Sequence, residues 1–478
     1  MKKISIVCIA LFFIVSCKQN KEIPKNLEQT EKVSIAPVSD SAIASAVIYE
    51  ANIRQYSPEG TFEAFTKDIP VLKTLGVKVI WVMPINPISK IKRKATGDTF
   101  TSEIEDEEER NKYLGSYYSV SDYKAINTEF GTLQDFQDLV NTAHENDIYV
   151  IIDWVPNHTG WDHPWIEEHP EYYTQNEKGE IIDPVNPDTG ESWGWTDTAD
   201  LNYDNQDMRG AMISDMKYWL ETADIDGFRM DVAHKVPPAF FNDAIKEMKT
   251  VKPVFMLAEA EQADLMDNGF DMHYAWEGHH LLNRIAKGEA EVKDLGAYLM
   301  KQDSVLKNDD INMNFITNHD ENSWAGTLKE RMPKNKELFT ALTYMLPGMP
   351  LIYSGQEYDL EHRLKFFEKD SIPKSKGTYF ELLKKLGQLK NTNPALNVGK
   401  ESASFKRVAT NNENVLLIER FKNDEVIIFL ANLSDRVQET NDALQGDFVD
   451  YLSGEKVNYN ESGILKWDPW EYKILIRD

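Results

Sequence analysis

The stretch Asp226-Gly227-Phe228-Arg229-Met230-Asp231-Val232-Ala233-His234 sets two charges inside a short apolar run. Phe228, Met230 and Val232 alternate as a β-strand requires, so Arg229 and Asp231 fall together on the other face, two residues apart. Burying an ion pair costs free energy, so a pair at a strand end points to a site that uses the charges. Asp231 is expected to be a nucleophile that Arg229 keeps ionised. The rest of the chain must then fold so that other polar groups reach this strand end.

The surrounding pattern supplies such a fold. Short apolar runs recur at residues 46–50, 77–83, 149–155, 254–258, 270–275, 314–317 and 350–353. Helical periodicity lies between several of them, at 61–75 (Phe62, Phe65, Ile69, Leu72), 133–146, 208–221 and 338–346. The runs at 77–83 and 149–155 are apolar throughout, as in strands buried on both faces. Eight strands with helices between them predict an α/β chain, a (β/α)8 TIM barrel, whose sites lie at the C-terminal strand ends. The prominent polar residues fall at such ends: Asn157-His158 past the third strand, Arg229 and Asp231 on the fourth, Glu259 ending the fifth, and Asn318-His319-Asp320 past the seventh.

Residues 159–205 break this rhythm with Trp, Pro, Gly, Asn and Asp, and predict a subdomain inserted after the third strand. The acidic run 103–109 reads as a solvated loop, with a cation site as the alternative. Strand-length segments at 414–421, 425–433 and 470–476 predict a C-terminal antiparallel β-sandwich over 396–478 and leave 44–395 to the barrel.

Composition narrows the partners. A formal charge of −27 argues against nucleic acid and favours a neutral ligand. Eleven Trp and 20 Tyr would suit stacking on sugars, although most aromatics serve a core. Lys2 and Lys3 precede an apolar run over 4–15 that is too short for a permanent membrane span. The run ends in Ile14-Val15-Ser16-Cys17, which resembles a bacterial lipobox. The resemblance implies cleavage before Cys17, lipidation of that residue, and export to a bacterial membrane, the outer membrane being expected, with the periplasmic or cell-surface face left open. Cys8 lies in the segment removed, so no cysteine pair would remain for a disulfide. Residues 18–43 read as a flexible tether.

With these residues placed, the chain resembles the α-amylase family, glycoside hydrolase family 13, from about residue 44 to the C-terminus. Asp153-Trp154-Val155-Pro156-Asn157-His158 is similar to the family's first conserved region, and Gly227 to His234 to the second. Glu259, closing Phe255-Met256-Leu257-Ala258, is similar to the third, and Phe315 to Asp320 to the fourth. Gly348-Met349-Pro350 through Gly355-Gln356-Glu357 resembles the eighth-strand signature. One departure is the order His234-Lys235, where many members carry Lys and then His.

The resemblance implies a retaining glycosidase with Asp231 as nucleophile, Glu259 as acid/base and Asp320 as the residue binding sugar hydroxyls. Retention needs two carboxyl groups about 5–5.5 Å apart. Arg229 is expected to lower the pKa of Asp231, and the setting of Glu259 to raise its own. Tyr118, within Gly115 to Tyr123, is implied under the reacting sugar; His158 and His319 are implied as donors to it, and His234 and Lys235 as contacts beyond the cleaved bond. Asp153 is expected to support Arg229, and Glu261 is a rival acid two residues past Glu259. Trp161, Trp165, Trp193 and Trp195 could stack on glucose or form the core of the inserted subdomain.

Many members hold a structural calcium, and Asn157 and Asp200 match its two side-chain positions; no organic cofactor is implied. The expected substrate is starch, glycogen or maltooligosaccharide, cleaved at α-1,4 bonds. A cyclomaltodextrinase, an α-1,6-glucosidase or a transglycosylase would use the same residues, and a non-catalytic glucan-binding protein is a remote alternative.

Overall fold

The structure is a computed structural model that describes residues 35–186, 188–441, 444–459 and 463–477. The expected signal segment, Cys17 and the tether up to residue 34 lie outside the described residues. No described helix is long and apolar enough to cross a membrane.

Eight parallel strands close into a barrel: β1 (Val47–Ala51), β2 (Val77–Val82), β3 (Tyr149–Trp154), β4 (Gly227–Met230), β5 (Phe255–Ala258), β6 (Met272–Tyr274), β7 (Ile311–Asn314) and β8 (Met349–Tyr353). They pair in the order β1-β8-β7-β6-β5-β4-β3-β2, each beside its neighbour in sequence. Helices such as Leu133–Glu145 and Gln206–Thr222 cover the outside. The first of these starts where Thr132 and Asp135 cap each other's backbone N–H groups.

Because side chains alternate across a strand, each contributes one row to the barrel interior. Ile48, Val79, Trp81, Tyr149, Ile151, Phe255, Leu257, Met272, Tyr274, Met313 and Leu351 fill that interior. The same alternating register carries on to Glu50, Asp153 and Glu259, so the inner row changes from apolar to acidic at the C-terminal mouth. The other row, including Tyr49, Ile80, Ile152, Phe228, Met230 and Met256, packs under the helices.

Several elements differ from the sequence-based expectation. The seventh strand is Ile311–Asn314, earlier than 314–317. Phe315 packs among the barrel-interior residues just past the strand, so the apolar run Phe315-Ile316 marks a buried loop start. The helix expected at 61–75 divides into Phe62–Thr66 and Ile69–Thr74, with Pro70 in the first turn of the second piece. Val232 does not extend β4; it takes a left-handed conformation, φ 37° and ψ 45°. The tether expected to run to residue 43 is already packed from Ile35: Ile35, Val38 and Ile43 lie against the barrel-interior cluster, and Asp40–Ala44 is a short helix.

Gly227 opens β4 at φ +151°, and a Cβ there would stand 1.9 Å from the Phe255 carbonyl oxygen. Only glycine permits this approach of β4 to β5, the strands that lead to Asp231 and Glu259. Just before it, buried Asp226 accepts from Val150 N–H at 2.9 Å and meets His144 Nε2 at 2.8 Å and Lys252 Nζ at 3.0 Å.

The inserted segment has little regular structure beyond the antiparallel pair His158–Gly160 and Thr198–Asp200. The acidic run 103–109 is largely exposed, and Glu107–Arg110 forms a short helix capped by Asp106.

At the C-terminus, β9 (Ser404–Val408), β10 (Val415–Lys422), β11 (Glu425–Asn432), β12 (Gln438–Asn441), β13 (Asp447–Asp450), β14 (Lys456–Asn458), β15 (Ile464–Trp467) and β16 (Tyr472–Arg477) follow. Six of them form one antiparallel sheet, β9-β10-β11-β16-β13-β14, and β12 and β15 form a ribbon. Leu416, Ile418, Ile427, Phe429 and Ile474 join the cluster shared with the barrel helices, whereas Val415, Leu417, Ile428, Leu430 and Leu475 pack with Trp467 of the ribbon. The sheet is covered on both faces, which explains the unbroken apolar run Val415-Leu416-Leu417-Ile418.

Candidate active site

Arg229 stands at the centre of the barrel mouth, wholly buried. The register sets Asp153 of β3 beside Arg229 of β4. Arg229 Nη1 donates to Asp153 Oδ1 at 2.9 Å and to Asp231 Oδ1 at 2.7 Å, and Nη2 lies 3.0 Å from Glu259 Oε1. Nε donates to the Tyr274 hydroxyl at 3.3 Å, and the guanidinium lies 4.8 Å from the Trp81 ring centroid. Its planar fork therefore holds three carboxylates from three adjacent strands.

The left-handed turn at Val232 has a use here. A β-branched residue in this region is strained, and the turn aims Val232 N–H at Glu259 Oε2, 2.6 Å away. Glu259 is thus gripped at both oxygens. The rival Glu261 is turned elsewhere and accepts from Glu277 N–H at 3.0 and 3.1 Å.

Charge in this cluster is uneven. Burial and the Glu259 carboxylate push the Asp231 carboxyl well above its usual range, and the downward pull of Arg229 does not offset them. Burial also raises Asp153, to about 6, against the opposing pull of Arg229. Arg229 does pull the Asp231 pKa down, as expected, but burial and then the Glu259 carboxylate outweigh it, so the net shift is upward.

A second layer continues the network. The Tyr118 hydroxyl lies 2.8 Å from His319 Nε2 and donates to Asp153 Oδ2 at 3.3 Å. Trp81 Nε1 donates to the same Asp153 oxygen at 3.1 Å. His319 Nδ1 meets Glu50 Oε1 at 2.5 Å, and its Nε2 lies 3.4 Å from Asp320 Oδ2. Burial alone would lower the His319 pKa, but the Asp320 and Glu50 carboxylates lift it to about 9. Glu50, next to last in the first strand, has no role in the sequence reading. The available signal was the one that marks Asp153: an acid in inward register at the end of an apolar strand.

The other expected residues sit around this centre. His158 is buried beside Trp195, ring centroids 5.7 Å apart, and burial lowers its pKa to about 4. His234 and Lys235 lie on the turn Ala233–Lys235; His234 is exposed, and the Lys235 ammonium stands 3.8 Å from the Trp193 ring centroid. Trp165 is core, Trp161 and Trp195 are half-buried, and Trp193 is exposed. The antiparallel strand pair sets His158 opposite Asp200, and Asn157 directly precedes His158 in the chain. Burial raises the Asp200 carboxyl to about 6. Among the described residues no group of three or more His, Cys, Asp or Glu is arranged to hold a metal, so a cation here would lean on amide and backbone oxygens.

The Glu50–His319 pair makes a pH-dependent prediction. His319 stays protonated in the fold up to about 9 but loses its proton near about 6.5 when unfolded. The stabilisation is therefore complete below about 6.5 and lost as pH rises through about 9. Glu50→Gln should lower the melting temperature most near pH 6.5, with the difference from the unmutated protein shrinking toward pH 9.5. A difference that stays constant with pH would refute a charged pair.

A family model described as the α-amylase catalytic domain matches residues 24–384. The chain is similar to an α-amylase of known structure from Lactobacillus plantarum, with 26% identity and a TM-score of 0.78 over 92% of this chain and 100% of that one. It is similar to a noncanonic maltogenic α-amylase from Thermotoga neapolitana, with 26% identity and a TM-score of 0.78 over 91% and 99%. Alpha-amylase 3 of Dictyoglomus thermophilum is 24% identical over 494 residues, 87% of this chain and 91% of that relative. The chain belongs to the α-amylase family of glycoside hydrolases, family 13.

Proposed function

We propose that the protein is a retaining hydrolase of α-1,4-glucosidic bonds in starch, glycogen or maltooligosaccharides, acting by double displacement. The observation that carries this reading is the grip of Arg229 on Asp231 and Glu259 together, 2.7 and 3.0 Å away. Two carboxyl groups on one guanidinium are held side by side, as retention demands. Asp231 attacks the anomeric carbon while Glu259 gives its proton to the leaving oxygen; Glu259 then takes a proton from a water whose oxygen bonds to the anomeric carbon as the bond to Asp231 breaks. Asp320, the most exposed of these acids, and His319 bind the sugar's hydroxyls, and Tyr118 lies under its ring.

The purified protein, offered amylose, pullulan and a cyclodextrin separately, should release mixed maltooligosaccharides early from amylose and leave pullulan intact. Glu259→Gln should slow this by about 10²- to 10⁴-fold, and Asp231→Asn should abolish it. Faster attack on cyclodextrin or pullulan than on amylose would move the assignment to a cyclomaltodextrinase or an α-1,6-glucosidase. Dominant longer products would indicate a transglycosylase. Binding without cleavage would leave a glucan-binding protein.

The proposal extends to calcium. Asn157 offers an amide oxygen and Asp200 a carboxylate that a nearby cation would favour. Such an ion would tie the inserted segment to the barrel. Chelation should then lower the melting temperature and calcium restore it; a melting temperature indifferent to both would rule the ion out.

The reading also includes a lipid anchor at Cys17 on a bacterial membrane, supported by the lipobox-like sequence. Cys17→Ala should move the protein from the membrane fraction to the soluble one, and continued membrane association would refute the anchor.

A further inference from the structure

Two tryptophans are exposed among the described residues, Trp193 at 40% and Trp324 at 56%. Trp193 adjoins Lys235 on the turn after β4. Trp324 lies across the mouth, four residues after Asp320, on the turn Glu321–Ala325.

That turn is pinned from both sides. Asn322 Oδ1 accepts from Leu364 N–H at 2.8 Å, and Ser323 Oγ donates to the Leu364 carbonyl at 3.2 Å. Arg363 donates to the Trp324 carbonyl at 3.4 Å and pairs with Glu330 at 3.1 Å. Glu321 faces His279 Nε2 at 3.1 Å and Arg331 Nη1 at 3.6 Å. The Trp324 ring is thus held out on a fixed backbone, where little ordering entropy remains to be lost on binding.

The ring also continues a line that starts inside the site. Tyr118 faces His319 with ring centroids 5.6 Å apart and Phe366 with centroids 6.4 Å apart, the latter nearly parallel at 12°. Phe366 in turn packs on Trp324 at 5.3 Å. An apolar face joined without a break to a sugar site offers a pyranose the flat surface that its C–H groups stack on.

The direction of this line follows from the barrel order. Glu259 ends β5, and His234 and Lys235 follow β4, so these neighbouring strands border the leaving-group side. Tyr118 follows β2, Trp324 follows β7 and Phe366 follows β8, on the opposite wall.

We propose that Trp324, backed by Phe366, is a stacking platform for a glucose unit of the α-glucan on the non-reducing side, beyond the unit that Asp231 attacks. The inference rests on the glucan reading above and deepens it. The preferred ligand is a maltooligosaccharide that extends past the reacting glucose toward its non-reducing end.

The test uses the full chain with Asp231→Asn as parent, which binds without turnover, and calorimetric titration with maltoheptaose. Trp324→Ala should raise Kd about 3- to 10-fold, and Trp324→Phe should keep most of the affinity. In the active protein, Trp324→Ala should lower kcat/KM for maltoheptaose by a similar factor, acting through KM, with kcat unchanged. An unchanged Kd in Trp324→Ala overturns the platform and leaves the glucan reading standing. A Trp324→Phe variant as weak as Trp324→Ala overturns stacking as the mechanism. A parent that does not bind maltoheptaose overturns the glucan reading, and the platform falls with it.

Discussion

A single guanidinium holds the mouth of this barrel together. Arg229 is wholly buried and meets Asp153, Asp231 and Glu259 on three adjacent strands. A buried cation is tolerable only when its donors and charge are matched, and the strongly raised pKa of Arg229 follows from Asp153 and Glu259 overcoming its burial. Three acids on one cation leave an excess of negative charge. That excess, with burial, lifts Asp231 and Asp153 and favours a proton retained in the cluster.

The barrel positions this cluster through register and close approach. Inward rows that are apolar lower down end in Glu50, Asp153 and Glu259 at the mouth. Gly227 lets β4 come within reach of β5, and the left-handed turn at Val232 presents an N–H to Glu259. A strained non-glycine residue costs about 1–3 kcal/mol, held here by the packed surroundings. Glu50 and His319 form a second layer that fixes Tyr118, whose hydroxyl also reaches Asp153.

Much of this was legible in the chain. The strand runs, their helical spacing and the acids at their ends pointed to the barrel and to Asp231, Glu259 and Asp320, because a parallel strand buried on both faces must be apolar until it reaches a site. The misreadings have the same origin. Phe315-Ile316 is apolar because it begins a buried loop, so the pattern placed β7 three residues late. Ile35, Val38 and Ile43 are too sparse to signal packing, yet they lie against the barrel interior. Glu50 gave the signal of an inward acid, but its partner His319 lies 269 residues away.

The amino-acid order by itself determined which residues could line the mouth: alternation along each strand decides its inward row, and the ends of those rows carry the acids. Only the tertiary structure decided how the charges are shared. Arg229 and Asp231 read as a private pair in one dimension; in three, burial and then the neighbouring Glu259 carboxylate outweigh the pull of Arg229 and turn the Asp231 shift upward. The line from His319 through Tyr118 and Phe366 to Trp324 was likewise decided by folding, because its members come from loops after three different strands and meet only when the barrel closes.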